Sequence, residues 1–182
     1  MEKRIVLGSG KLYVVAYTNS IPEDTTLETE QNLLGLISGG ATLEYTPTFY
    51  EAKDDLGLVS KKFITDEEVI FKSGILTWNG DTLDKLCATS TVDTSSKEGK
   101  RIVKIGGSAN YDGAKYVIRF VYSDAADGDV RITLVGSNEA GFEMQFQKDK
   151  ETVINAEFKA QPHDENGTLV IYEETVKAWY KG

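Results

Sequence analysis

Apolar and polar residues alternate with a period of two through most of the second half of the chain. That spacing suits a strand with one face buried and the other wet. Over 115–122, Tyr116, Ile118, Phe120 and Tyr122 share one face, while Lys115 and Arg119 lie on the other beside two valines. Val130, Ile132 and Leu134 then stand opposite Arg131 and Thr133, and Phe142, Met144 and Phe146 oppose Glu143, Gln145 and Gln147. Over 151–160, Ile154, Ala156 and Phe158 oppose Glu151, Asn155, Glu157 and Lys159. Shorter strands are expected at 101–105 and 169–172. Asp112-Gly113, Asp127-Gly128 and Asn166-Gly167 punctuate these runs and supply the positive φ that tight hairpin turns require. The second half therefore predicts an antiparallel meander.

The first half repeats the theme less evenly. Strands are expected at Leu12 to Thr18, Ala41 to Tyr50, Leu58 to Ile64 and Glu68 to Leu76. Leu27, Leu33, Leu34 and Ile37 make a weak helical pattern, but Gly35, Gly39 and Gly40 favour a long loop over 19–40. One segment breaks the period decisively: Leu83, Leu86 and Cys87 fall at helical spacing. Asp81 and Asp84 suit the helix start, and Thr77 or Asn79 is its expected N-cap. The fold expected is mainly β, an antiparallel β-sandwich or partly closed β-barrel. One short α-helix at about residues 79–88 flanks it, and a long hairpin or loop lies near 45–63. A length of 182 residues fits one domain over 1–182, with N-terminal (1–10) and C-terminal (175–182) arms.

Charge and composition narrow the function. A formal net charge of −9 and a pI near 4.7 oppose a DNA-gripping surface. The apolar runs near the N-terminus are too short for a signal peptide, and none approaches a membrane span. A soluble, intracellular product is expected. A single cysteine, Cys87, excludes an internal disulfide and a thiolate zinc cage.

The residues that carry chemistry elsewhere form no convincing constellation here. His163 is the only histidine and sits in the turn-like stretch PHDENG, without a partner for a metal site or a triad. Cys87 reads as a small buried hydrophobe. Gly8-Ser9-Gly10-Lys11 fails as a phosphate loop, because the positions that should hold Gly and Ser/Thr hold Ile5 and Leu12. Asp124, Asp127 and Asp129 lack the order of a calcium loop and suit a hairpin turn better. Acidic pairs such as Asp54-Asp55, Glu67-Glu68 and Glu173-Glu174 read as solvated faces. No catalytic residue, cofactor or metal is expected.

Three stretches add to this reading. In LGLISGGATLEYTPTFYEAKDDLGLV a Gly-Gly pair introduces a strand that runs into a long polar hairpin. In VIFKSGILTWNGDTLDKL a strand ends just before the short helix. GFEMQFQKDKETVINAEFKAQPHDENGTLVIYEE holds two strands about KDKET, then an Asn-Gly turn and a last strand. In order and spacing these resemble the tail tube (major tail) proteins of long-tailed phages and related prophage particles. The resemblance covers under half of the chain. It implies a structural subunit that forms hexameric rings stacked head to tail into a hollow tube through which DNA passes without specific binding. It also implies tape-measure and tail terminator proteins as partners, no membrane, and a place in the virion tail after assembly in the bacterial host cytoplasm. Contractile-tail inner tubes and the type VI secretion tube share that layout.

The hairpin near 45–63 is the expected assembly surface, with Tyr45, Pro47, Phe49, Tyr50, Leu56, Leu58 and Phe63 set amid charges. Sheet edges must be paired or protected, and pairing them with another copy serves assembly. A ring of six copies multiplies the −9 sixfold, and an acidic lumen repels passing phosphates. Two other classes compete. A glycan-binding adhesin would stack sugars on aromatic rings, although Trp78 reads as core and leaves Trp179. A carboxylate-only glycosidase needs a cleft with two facing acids.

Overall fold

A computed structural model describes residues 10–125 and 128–175 of the chain. Among these residues nine strands, two short α-helices and a 3-10 turn at Ser108–Asn110 follow one another. The strands and α-helices are β1 (Lys11–Ala16), α1 (Asp24–Leu27), β2 (Leu33–Lys53), β3 (Ser60–Ile75), α2 (Gly80–Leu86), β4 (Ser90–Asp93), β5 (Ile102–Ile105), β6 (Tyr116–Tyr122), β7 (Val130–Asn138), β8 (Ile154–Ala160) and β9 (Val170–Glu174). Seven strands form one antiparallel sheet in the order β6-β1-β2-β3-β8-β7-β9. Because β6 also pairs with β7, the pairing runs full circle, and the sheet becomes a partly closed barrel flanked by α2. The seam lies between β7 and β8, which share only Gly136–Ala160, Ser137–Lys159 and Asn138–Phe158. β9 takes the rest of that edge of β7, from Val130 to Leu134.

The period-two pattern explains the interior. Leu12, Phe71, Ile75, Ile118, Leu134 and Phe158 are fully buried inside the ring, and Phe71 meets Phe120 at 5.8 Å between ring centroids. Each such side chain contributes about 1.5–3 kcal/mol by leaving water.

Helix α2 lies where the sequence places it. Asn79 caps it by accepting from the backbone N–H groups of Asp81 (2.8 Å) and Thr82 (3.2 Å). Thr82 completes a capping box by accepting from the Asn79 N–H at 3.2 Å. Its hydroxyl also donates to the Leu34 carbonyl (3.0 Å), and Leu86 is buried in the barrel core. Cys87, expected on the buried face, is the extended C-cap and only half-buried.

Several expectations are corrected. Residues 19–40 are not one loop. Asp24–Leu27 is helical, and β2 begins at Leu33, because Gly39 and Gly40 at φ +80 and +84 form a bulge that shifts register without ending the strand. The two strands expected at 58–64 and 68–76 are one, β3, with a bulge opposite Thr48 and Phe49. Residues 142–147 are not a strand. Phe142 and Met144 pack on the core from irregular chain that joins no ladder, and only Gln147 makes an isolated bridge, to Lys150. The meander also breaks, since β9 pairs with β7 and not with β8.

Arg119, expected on a wet face, is buried. Strand β6 is covered on both sides, because Val117, Val135 and Leu27 form a second small core beneath α1. Arg119 donates there to Asp24 (2.6 Å) and Glu28 (3.0 Å), and Arg131 holds Glu28 at 2.7 Å. β4 and β5, of which β4 was not expected, form a separate two-stranded sheet against α2. The expected arms at 1–10 and 175–182 lie outside the described residues apart from Gly10 and Thr175, as does Trp179.

Candidate functional site

The barrel uses only part of β2 and β3. β1 pairs with β2 over Leu33–Leu36, and β8 pairs with β3 over Ile70–Ile75. From Tyr45 to Lys53 and from Ser60 to Val69 the two strands pair only with each other. At about 3.3 Å per residue this two-stranded ribbon reaches roughly 30 Å beyond the barrel wall.

The seven residues expected as an assembly surface all lie on this ribbon. Tyr45, Phe49, Tyr50, Leu56, Leu58 and Phe63 are exposed, and Pro47 is half-buried. Val59 and Ile64 join them as exposed apolar side chains. The sequence pattern did not mark these two, because the register that sets Ile64 opposite Phe49 depends on the bulge at Thr65. Directly paired residues share a face. Tyr45, Pro47, Phe49 and Ile64 therefore fall on one face, and Tyr50, Phe63, Ala52 and Lys61 on the other.

Local chemistry holds the ribbon in shape. At its tip the Asp54 carboxylate accepts from the Val59 N–H (2.7 Å), and the Gly57 N–H donates to the Asp54 carbonyl (3.0 Å) with Gly57 at φ +68. The Val59 hydrogen bond holds the Asp54 carboxyl below its ordinary value. Near the base the Tyr45 hydroxyl donates to Glu67 (2.6 Å), which pushes the phenol's pKa up. Lys72 pairs with Glu44 at 2.7 Å and Lys159 with Glu68 at 2.8 Å. The Lys61 ammonium sits 4.9 Å from the centre of the Phe63 ring.

A two-stranded hairpin is at best marginal alone in water, and a long exposed strand edge is a template for pairing. Contiguous apolar side chains on such an element mark an interaction surface. What this arrangement can do is bind another polypeptide.

Several of the other candidates have structural partners. Glu68 pairs with Lys159 and Glu173 lies 3.7 Å from Arg119, while Asp124 accepts from the Tyr122 hydroxyl at 3.1 Å. His163 lies in an irregular stretch, with its backbone N–H on the Thr168 carbonyl (3.3 Å). Trp78 is half-buried against the core; its indole N–H donates to the Thr152 carbonyl (3.2 Å), and Phe146 meets it edge-on. No group of three or more metal-ligating side chains occurs among the described residues. A cleft of about 590 Å³ runs past the Gly39–Gly40 bulge. A second, of about 520 Å³, opens between α2 and the loop before β6.

No protein-family model matches the chain, and no curated protein matches it.

Proposed function

We propose that this chain is a structural subunit of the tail-tube type. Its copies join through the β2–β3 ribbon into hexameric rings that stack as a hollow tube for DNA. The observation that carries the reading is the ribbon itself, which leaves the barrel with apolar side chains on both faces and free strand edges. Such an element suits the surface of a second copy better than open water. The six-fold ring and the DNA cargo come from the sequence resemblance, and the net charge of −9 is compatible with a lumen to which phosphates do not stick. Tape-measure and tail terminator proteins are its proposed partners.

Negative-stain microscopy of the purified full chain tests this. Rings or tubes support it. A monomer at every concentration and salt tried contradicts it, and glycan-array binding by that monomer would favour an adhesin instead.

A further inference from the structure

Residues 17–32 leave β1, cross the outer face of β6 and β7, and return to the barrel at the start of β2. The segment is tied together as one piece. The Asn32 side-chain amide donates to the Thr26 (2.9 Å) and Leu27 (3.1 Å) carbonyls, and the Glu28 N–H donates to the Asp24 carbonyl (2.8 Å). Backbone bonds fix its two ends, from the Tyr17 N–H to the Lys115 carbonyl (2.9 Å) and from the Val14 N–H to the Asn32 carbonyl (2.8 Å). Two residues after the first anchor stands Asn19 at φ +65, the only non-glycine residue in the left-handed region among the described residues.

Little apolar surface holds this cover down. Leu27 is its one fully buried side chain, set on Val117 and Val135 with Tyr17 and Ile21 half-buried beside it. Helix α1 spans four residues and has no side-chain cap. The rest of the grip is ionic, Arg119 and Arg131 on Asp24 and Glu28. The attraction within such a pair is offset by the water its groups give up. Removing one partner strands the other, whereas lifting the whole cover returns every group to water.

Two more polar atoms gain by that. Arg119 Nε and Thr133 Oγ1 are buried without a hydrogen-bond partner, on residues that face each other across β6 and β7. A closed cover keeps both from water, which opposes closure.

We infer that residues 17–32 are a latch that opens as a unit from a barrel that stays folded, uncovering Arg119, Arg131 and the apolar strip of Val117 and Val135. Closed, the latch is an internal acidic ligand for that face, with Asp24 and Glu28 on the guanidiniums and Leu27 as its anchor. The inference does not depend on the self-assembly reading. Segments with few buried apolar contacts open below the free energy of global unfolding.

Matched cysteines test it. Val117 beneath the cover and Val14 inside the barrel are both fully buried. In full-length protein carrying Cys87→Ser, Val117→Cys should react with a maleimide about tenfold faster than Val14→Cys, or more. Adding Leu27→Ala should speed the Val117→Cys reaction about tenfold further and leave Val14→Cys unchanged. Thr133→Val removes the unpartnered hydroxyl and should slow the Val117→Cys reaction about tenfold. Equal rates at the two positions, rising together with Leu27→Ala, would mean that the cover opens only when the barrel unfolds, and would overturn the inference. A Thr133→Val rate that is unchanged or faster overturns it too. Amide exchange at Glu28 reads the same opening without any cysteine: slower exchange in Thr133→Val than in wild type is expected, and no difference counts against the latch.

Discussion

Tyr50 and Phe63 are direct partners across the β2–β3 ribbon, yet they remain 60% and 44% exposed. Aromatic cross-strand pairs stabilise a hairpin by about 0.2–1 kcal/mol, and the larger gain from burying both rings is still open to a partner. Replacing both with serine should leave the barrel's unfolding free energy within about 1 kcal/mol of wild type. The same change should sharply weaken self-association. Thermal melting monitored beside sedimentation checks both halves.

The turn at the ribbon tip should depend on pH. The Val59 N–H holds the Asp54 carboxyl below 3.8 in the folded chain. A depressed carboxylate contributes stability that is complete above its ordinary value and is lost as pH falls through the folded one. The turn is therefore fully held at neutral pH and loosens as pH drops below 3.8. Protection of the Val59 amide, its exchange relative to the intrinsic rate at each pH, should fall over that range in the wild type, and Asp54→Ala should abolish that change.

Gly136 marks the seam of the barrel. A Cβ there would lie 1.9 Å from the Lys159 carbonyl oxygen, a backbone atom that cannot swing aside. Gly136→Ala should cost about 1–3 kcal/mol and open the β7–β8 contact first. Denaturant titration gives the loss, and faster amide exchange at Lys159 and Ala160 locates it.

Arg119 ties α1 to β6 through Asp24 and Glu28. Arg119→Met should cost about 2 kcal/mol. That is less than the 3–5 for breaking a fully buried pair, because Arg131 still holds Glu28 and Asp24 is half exposed. Chemical denaturation of the purified variant measures it.

Much of the fold was legible because its signals are local. Asn79, one of two expected N-caps, with Asp81 after it marks the start of α2, and the alternation of Ile154, Ala156 and Phe158 needs only one buried face. The misreadings come from non-local facts. Arg119 looked solvent-facing because the groups that meet it, Asp24 on α1 and Glu28 just after it, lie far away in sequence. Phe142, Met144 and Phe146 alternate as a strand would, but Phe142 and Met144 pack on the core while Phe146 is 75% exposed, and the segment joins no ladder, which a single sequence does not reveal. The candidate site was visible as aromatic and aliphatic residues among charges between Tyr45 and Phe63. Val59 and Ile64 were missed, since their exposure follows from the ribbon's departure from the barrel.

The central claim is that the ribbon joins copies of this chain. Its most direct test replaces residues 49–65, which lie between the register partners Thr48 and Asp66, with a two-residue Asn-Gly turn and compares that variant with the wild type by sedimentation velocity and negative-stain microscopy at matched concentrations. The predicted result is a folded monomer beside a wild type that forms rings or tubes, because no fully buried core residue lies within the deleted segment. Wild-type protein that stays monomeric, or a deletion variant that assembles as the wild type does, would contradict it.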